Sequence, residues 1–282
     1  ALAERPGECL RIALKDVLGI AELVETTLEL SLLADVLLEK ALEVAAAELR
    51  LRYGDPEARD PNGRLVPGRF AVVGLGKLGG NELNYSSDID LLFLYAGAGE
   101  TRGPTRISNH EYFVRLAQRL IQLIAGVTPE GPVFRVDLRL RPQGGEGDLA
   151  ISLLAALDYY QRRAREWELQ MLLKARATAG DAALVREFLH GVEPFLYQGE
   201  IHVAAVESVL EAREHMDRKL GASAAVGNVK LSPGGIRDIE FMVQCLQRLH
   251  GQKDSWVREG GTLVALQKLH DKGYLLPREH QR

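Results

Sequence analysis

The sequence predicts an α+β fold, a small mixed sheet flanked by an N-terminal helical segment and a larger C-terminal all-helical region. Three observations lead there. Residues 70–75 and 89–94 are short apolar runs separated by a glycine-rich turn, with the length and composition of buried strands. Residues 133–140, VFRVDLRL, alternate apolar and charged side chains as a strand with one wet face must. Residues 8–53 and most of the chain after Ser152 carry leucines at helical spacing.

Residues 8–53 contain no proline and read as two or three helices, with Gly19 and Ser31 as expected interruptions. Residues 54–68, GDPEARDPNGRLVPG, read as a polar linker. Strand 70–75 runs into Gly74, Gly76, Gly79 and Gly80, which allow a tight turn and a close approach of the backbone to a ligand. One or two helical turns over 81–85 lead to Ser86-Ser87-Asp88-Ile89-Asp90, which opens the second strand. After a loop at 96–107, Ser108-Asn109-His110-Glu111 starts a helix as a capping box, and that helix runs to Gly126. It separates two strands, as a crossover must if 133–140 is to join the sheet. Helical sequence from Ser152 breaks near Gly180 and Gly199, and the block at 173–176 reads as helical. Gly234-Gly235 precedes a helix over 236–250, and 262–272 forms another before Pro277 starts a last element. The division expected is 1–53, 54–150 and 151–282, with the chain cut from a longer polypeptide.

Composition narrows the function. The chain has 282 residues, 46% hydrophobic and a net charge of −4. That is ample for a core and gives no basic field for nucleic acid. Cys9 and Cys245 lie far apart without metal-ligand spacing, as reduced thiols of a cytoplasmic protein would. No apolar run approaches the length of a membrane span, so no membrane partner is expected. The seven histidines show no ligand spacing.

The chemistry concentrates at Asp88 and Asp90. Two residues apart on a strand, they leave the same face about 6–7 Å from each other. Beside the apolar Ile89 and 91–94, two unpaired carboxylates are costly without a cation. Magnesium suits them, being a hard ion that takes one or two carboxylates plus phosphate oxygens. Gly74, Gly76 and Gly79 also match the dinucleotide fingerprint, but Asp88 follows too soon for a complete βαβ unit. Lys77 precedes the last glycines and no Gly-Lys-Ser/Thr occurs, so a P-loop fails as well. Asp137 supplies a third carboxylate, with Arg135, Arg139 and Arg141 beside it to offset polyphosphate charge. An ion pair of Asp137 with Arg139 or Arg141 is the plainer alternative. Lys77 reads equally as a solvated turn residue or a phosphate contact, and of Lys174 and Arg176, which do not share a helix face, at most one is expected to enter the cleft. Glu166 and Glu168 read as helix surface or as partners of nearby arginines. Asp238 and Glu240 stand in the first turn of a helix, where the dipole favours negative charge.

The Gly-Gly turn, the Asp-x-Asp strand and the later acidic strand resemble the nucleotidyltransferase fold of DNA polymerase β. The fuller run GLGKLGGNELNYSSDIDLLF, followed in order by VDLRLRP, LLKARATAGD and GGIRDIEFMVQ, resembles the bacterial glutamine synthetase adenylyltransferase/adenylyl-removing family. Members carry two transferase halves; this chain carries one, and its wording at 84–88 and 230–237 looks closer to the N-terminal, adenylyl-removing half. The resemblance implies Mg²⁺ held by Asp88, Asp90 and Asp137. Gly79, Gly80 and Ser87 are then expected to cradle phosphate oxygens, with Lys77, Arg139 and Lys174 as further contacts. The implied reaction is removal of AMP from a tyrosine of glutamine synthetase by phosphate, giving ADP. The alternatives are ATP-dependent addition of AMP to that tyrosine, a non-catalytic docking module for glutamine synthetase or a PII protein, and nucleotidyl transfer to another acceptor.

Overall fold

A computed structural model describes residues 5–60, 62–126, 131–197, 229 and 235–275. They fall into two compact units, 1–162 with 174–191, and 163–173 with 192–282.

The first unit begins with α1 (Arg5–Val17) and the long α2 (Leu23–Tyr53), parted at Gly19, whose φ of +64° suits glycine. Ser31 does not interrupt α2. It is fully buried, donates to the carbonyl of Thr27 at 2.8 Å, and accepts the N–H of Leu83 at 3.2 Å. A serine bonding back to the i−4 carbonyl stays in the helix, and here it also ties α2 to the loop carrying the acidic motif.

Residues 54–68 form structure rather than a linker. Strands β1 (Pro56–Arg59) and β2 (Leu65–Pro67) pair antiparallel, and β1 also pairs with β5 (Gly99–Thr101), which lies inside the expected loop at 96–107. The Asp60 carboxylate accepts the N–H groups of Asn62 and Arg64 at 2.9 and 2.8 Å, turning the chain between the strands.

The main sheet is built on β3 (Arg69–Leu75) and β4 (Ile89–Ala96), which pair antiparallel from Arg69 opposite Ala96 to Leu75 opposite Asp90. Both are nearly continuous apolar runs, buried on both faces over most of their length. Between them lies the single helical turn α3 (Gly76–Gly79). Helix α4 (Asn109–Ala125) starts where the capping box predicts, its Ser108 hydroxyl accepting the Glu111 N–H at 3.2 Å. It sets Phe113 against Phe70 and Tyr95, with ring centroids 5.5 and 5.1 Å apart. Burying each such ring contributes about 1.5–3 kcal/mol.

Two short strands, β6 (Val136–Asp137) and β7 (Ala150–Ser152), pair parallel with opposite ends of β4. The eight-residue strand expected at 133–140 is thus two paired residues long. Its apolar face does pack on the core through Phe134, Val136 and Leu138. The ladder stops because the Asp137 carboxylate itself takes the Arg139 N–H at 2.8 Å.

Helix α5 (Leu153–Arg162) follows β7. The sheet is completed by β8 (Arg176–Gly180), antiparallel to β3, in the stretch expected to be helical. Lys174 ends a 3₁₀ turn and Arg176 opens the strand. Its small residues pass close to β3, where a Cβ on Gly74 would meet the Thr178 methyl at 2.5 Å.

Helix α7 (Ala182–Leu196) begins at Asp181, whose carboxylate accepts the Leu184 N–H at 3.0 Å and the Arg69 Nε–H at 2.6 Å. The Arg69 guanidinium holds the Asp181 carboxyl below the usual range. Its contribution to stability is therefore present above the unfolded value of about 3.9 and is lost as pH falls through the depressed folded value. Melting curves of Asp181→Asn and wild type should differ at neutral pH and converge in acid; a constant gap across the titration would refute this.

The second unit contains α6 (Glu166–Met171) and packs α8 (Ile236–His250) and α9 (Thr262–Asp271) around Val243, Val257, Ala265, Leu269 and Leu275. Helices α8 and α9 match the expected spans closely. The buried Gln247 amide donates to the carbonyls of Val257 and Glu259 at 2.8 and 2.6 Å, fixing the loop between them.

Candidate active site

The site grows from the turn between β3 and β4. Gly76 has φ +53°, and a Cβ there would lie 2.4 Å from Asp90 Oδ2, so only glycine lets the chain turn against that carboxylate. The turn ends at Gly80 and at Asn81, whose φ of +57° is left-handed. Chain alternation then places Ile89 in the core at 0% exposure and turns Asp88 and Asp90 to the opposite face. Asp88 is exposed and Asp90 half-buried.

Asp90 stands directly opposite Leu75 across the antiparallel ladder and directly opposite Asp137 across the parallel one. In-register neighbours on adjoining strands project from the same face, so Asp137 joins Asp90 there. Arg139 grips Asp137, with Nε and Nη2 at 2.9 and 2.5 Å from Oδ2. Arg135 pairs with Asp88 and donates to the Ser86 carbonyl at 2.7 Å. The hydrogen bonds from Arg139 hold the Asp137 carboxyl below its usual range. The guanidinium is raised in turn, chiefly by Asp137, with further contributions from Asp90 and Asp88. One cation thus feels all three carboxylates.

Among the described residues no three His, Cys, Asp or Glu side chains are already gathered as a metal cage. The chemistry of the donor set nonetheless fits a hard divalent cation: three carboxylates, all oxygen donors, with the guanidiniums of Arg135 and Arg139 now supplying the positive charge. Asp88, Asp90 and Asp137 would hold it.

Most of the other expected contacts have neighbours within the fold. A Cβ on Gly79 would stand 2.1 Å from the Lys174 carbonyl oxygen, so this glycine admits the neighbouring chain. The Gly80 N–H donates to the Gly76 carbonyl at 3.0 Å. The Ser87 hydroxyl donates to Asn84 Oδ1 at 2.7 Å and closes the turn before Asp88. Lys77 lies half-buried on α3. Lys174 is 7% exposed and pairs with Glu82 at 2.7 Å. Arg141 is no partner of Asp137; it donates to the carbonyls of Leu138 and Gly145, both at 3.0 Å, and shapes the following turn. Arg176 is held by Asp35 at 2.6 Å, and burial pushes the Asp35 carboxyl up against that pull.

Gly76 as the wall of Asp90 and Glu82 as the partner of Lys174 went unassigned in the sequence. Both sit in the glycine block, but nothing local marks Glu82, since Lys174 is remote in the chain. In the second unit Glu168 caps α6 by accepting the Arg165 N–H at 2.9 Å, and Glu166 pairs with Arg248 at 2.7 Å rather than with an adjacent arginine. Asp238 and Glu240 lie in the first turns of α8.

Comparison with known proteins agrees with this construction. A family profile described as glutamate-ammonia ligase adenylyltransferase matches residues 5–191, and one described as GlnD PII-uridylyltransferase matches residues 205–282. The bifunctional glutamine synthetase adenylyltransferase/adenylyl-removing enzyme of Hahella chejuensis is 40% identical over 266 residues, 94% of this chain and 27% of the relative. That of Nitrosococcus oceani is 41% identical over 275 residues, 96% and 28% respectively, and that of Pseudomonas aeruginosa 38% over 274 residues, 97% and 28%. The chain therefore spans little more than a quarter of these relatives. With the glycine turn, the acidic strand and the match to residues 5–191 in agreement, the chain belongs to the glutamate-ammonia ligase adenylyltransferase family.

Proposed function

We propose that this chain carries a magnesium-dependent adenylyl-transfer site acting on glutamine synthetase, and that its reaction is phosphorolytic removal of AMP from an adenylylated tyrosine. The observation that carries this reading is the register of Asp90 and Asp137 on adjoining parallel strands, with Asp88 one step before β4. A divalent cation bound there supplies charge neutralisation at the phosphoryl group and in-line alignment of the two reacting oxygens.

The chain's own residues supply position. Asp90 is fixed between Leu75 and Asp137 by two ladders and walled by Gly76, so its carboxylate is pre-organised. The α3 turn and Ser87 present polar groups beside it, and Lys77 and Arg139 add positive charge for phosphate oxygens. The buried Lys174 and Glu82 pair, with Gly79 and Gly80, holds that turn in place. In the reaction an oxygen of inorganic phosphate forms a bond to the AMP phosphorus while the phosphorus–tyrosyl oxygen bond breaks. Tyrosinate leaves and ADP is released. No side-chain nucleophile is needed.

The match of residues 205–282 to a PII-uridylyltransferase profile supports a PII-type protein as a second partner. Incubation of the chain with adenylylated glutamine synthetase, phosphate and Mg²⁺ should yield ADP and unmodified tyrosine. AMP incorporation from ATP into the unmodified synthetase, without ADP release in the first assay, would instead assign the adding direction. Formation of neither product would overturn the enzymatic reading.

A further inference from the structure

We propose that Arg139 is a built-in counter-cation of the acidic cluster, exchanged for a divalent metal ion when the site loads and then released to grip nucleotide phosphate. The inference rests on the reading of Asp88, Asp90 and Asp137 as cation ligands.

The two partners differ in exposure. Asp137 has a side chain 15% exposed, whereas Arg139 is 84% exposed. A carboxylate so shielded, facing Asp90 in register, is costly to leave uncompensated. Its guanidinium partner can swing into water at little cost. Removal of Arg139 alone therefore strands charge, while replacement by an incoming cation does not, which makes the contact an exchange.

The grip also occupies the oxygens an ion would need. Arg139 Nε lies 3.1 Å from Oδ1 and 2.9 Å from Oδ2, Nη2 is 2.5 Å from Oδ2, and the backbone N–H takes Oδ1 at 2.8 Å. Arg139 follows Asp137 by two residues, so the freed guanidinium stays beside the cleft, where its planar fork matches phosphate oxygens. The pair of Arg176 and Asp35 shows the contrast: its guanidinium is only 22% exposed, against 84% for Arg139, and Arg176 also donates to the Leu78 carbonyl at 3.1 Å, so that contact is built to stay.

The test is direct binding to the full chain: Mn²⁺ titration followed by the electron paramagnetic resonance of the free ion, then ADP titration at saturating Mn²⁺. An exposed ion pair is worth at most about 1 kcal/mol, so Arg139→Gln should bind Mn²⁺ up to about fivefold more tightly. With Mn²⁺ bound, the same variant should bind ADP about tenfold more weakly, having lost a charged hydrogen bond. Arg59→Gln, which removes an equal charge from β1, should change neither. An unchanged or weaker Mn²⁺ affinity in Arg139→Gln, an unchanged ADP affinity, or equal tightening in Arg59→Gln overturns the proposal. Asp90→Asn separates the layers. If wild type binds Mn²⁺ and Asp90→Asn does not, the metal reading stands whatever Arg139 does; if both bind alike, that reading falls first.

Discussion

Replacing Asp88 and Asp90 together with Asn is expected to abolish turnover while leaving the fold intact. Asp88 is exposed just before β4 and Asp90 is half-buried at its start, and Asn nearly matches Asp in shape, so the core packing of Ile89 and Phe93 is undisturbed. The melting temperature should move by less than about 3 °C. Catalysis loses the ligands of a cation worth several kcal/mol at the transition state, a rate loss of about 10³-fold or more. Asp137→Asn should follow the same pattern, since the ladder places it opposite Asp90. The measurements are ADP release from adenylylated glutamine synthetase and thermal unfolding by circular dichroism. Activity within about tenfold of wild type in the double variant would remove the metal assignment.

Gly79→Ala is expected to produce the opposite split, a loss of stability before any question of nucleotide binding. The added methyl would meet the Lys174 carbonyl oxygen at 2.1 Å and the Gly74 carbonyl oxygen at 2.7 Å. Both are backbone atoms in or beside the sheet and cannot step aside as a flexible side chain would. Overpacking of this kind costs about 1–3 kcal/mol, or several degrees of melting temperature. Gly145→Ala, with nothing within 4 Å of the new Cβ, is the control and should melt like wild type. If Gly79 served only to let a nucleotide approach, Gly79→Ala would keep its stability and lose nucleotide affinity alone. Thermal unfolding without nucleotide separates the two.

Much of the site was legible because its signals are local. A strand alternates by chemistry of the chain alone, so Asp88-Ile89-Asp90 had to put its carboxylates on one face once Ile89 was buried. Ser108 and Glu111 cap their own helix, and Gly19 relieves its own backbone. Other elements misled for an equally physical reason. The segment 54–68 is polar because its strands lie at the surface in a three-stranded sheet, and polar composition alone does not separate an exposed strand from a linker. Arg176–Gly180 has no strand period of its own; it is a strand because β3 offers an unpaired edge. The alternation at 133–140 overstated β6, since a side chain of that same segment competes for the backbone donor that would extend the ladder.

Residue order alone thus decided the acidic face of β4, the glycine turn before it and the helix caps, because each depends on contacts within a few residues. Folding decided which strand Asp137 lies against, which carboxylate Lys174 meets and how closely the Lys174 carbonyl approaches Gly79. Those outcomes turn on backbone pairing and burial between segments far apart in the chain, where register is chosen by the best joint packing and no short motif records the choice.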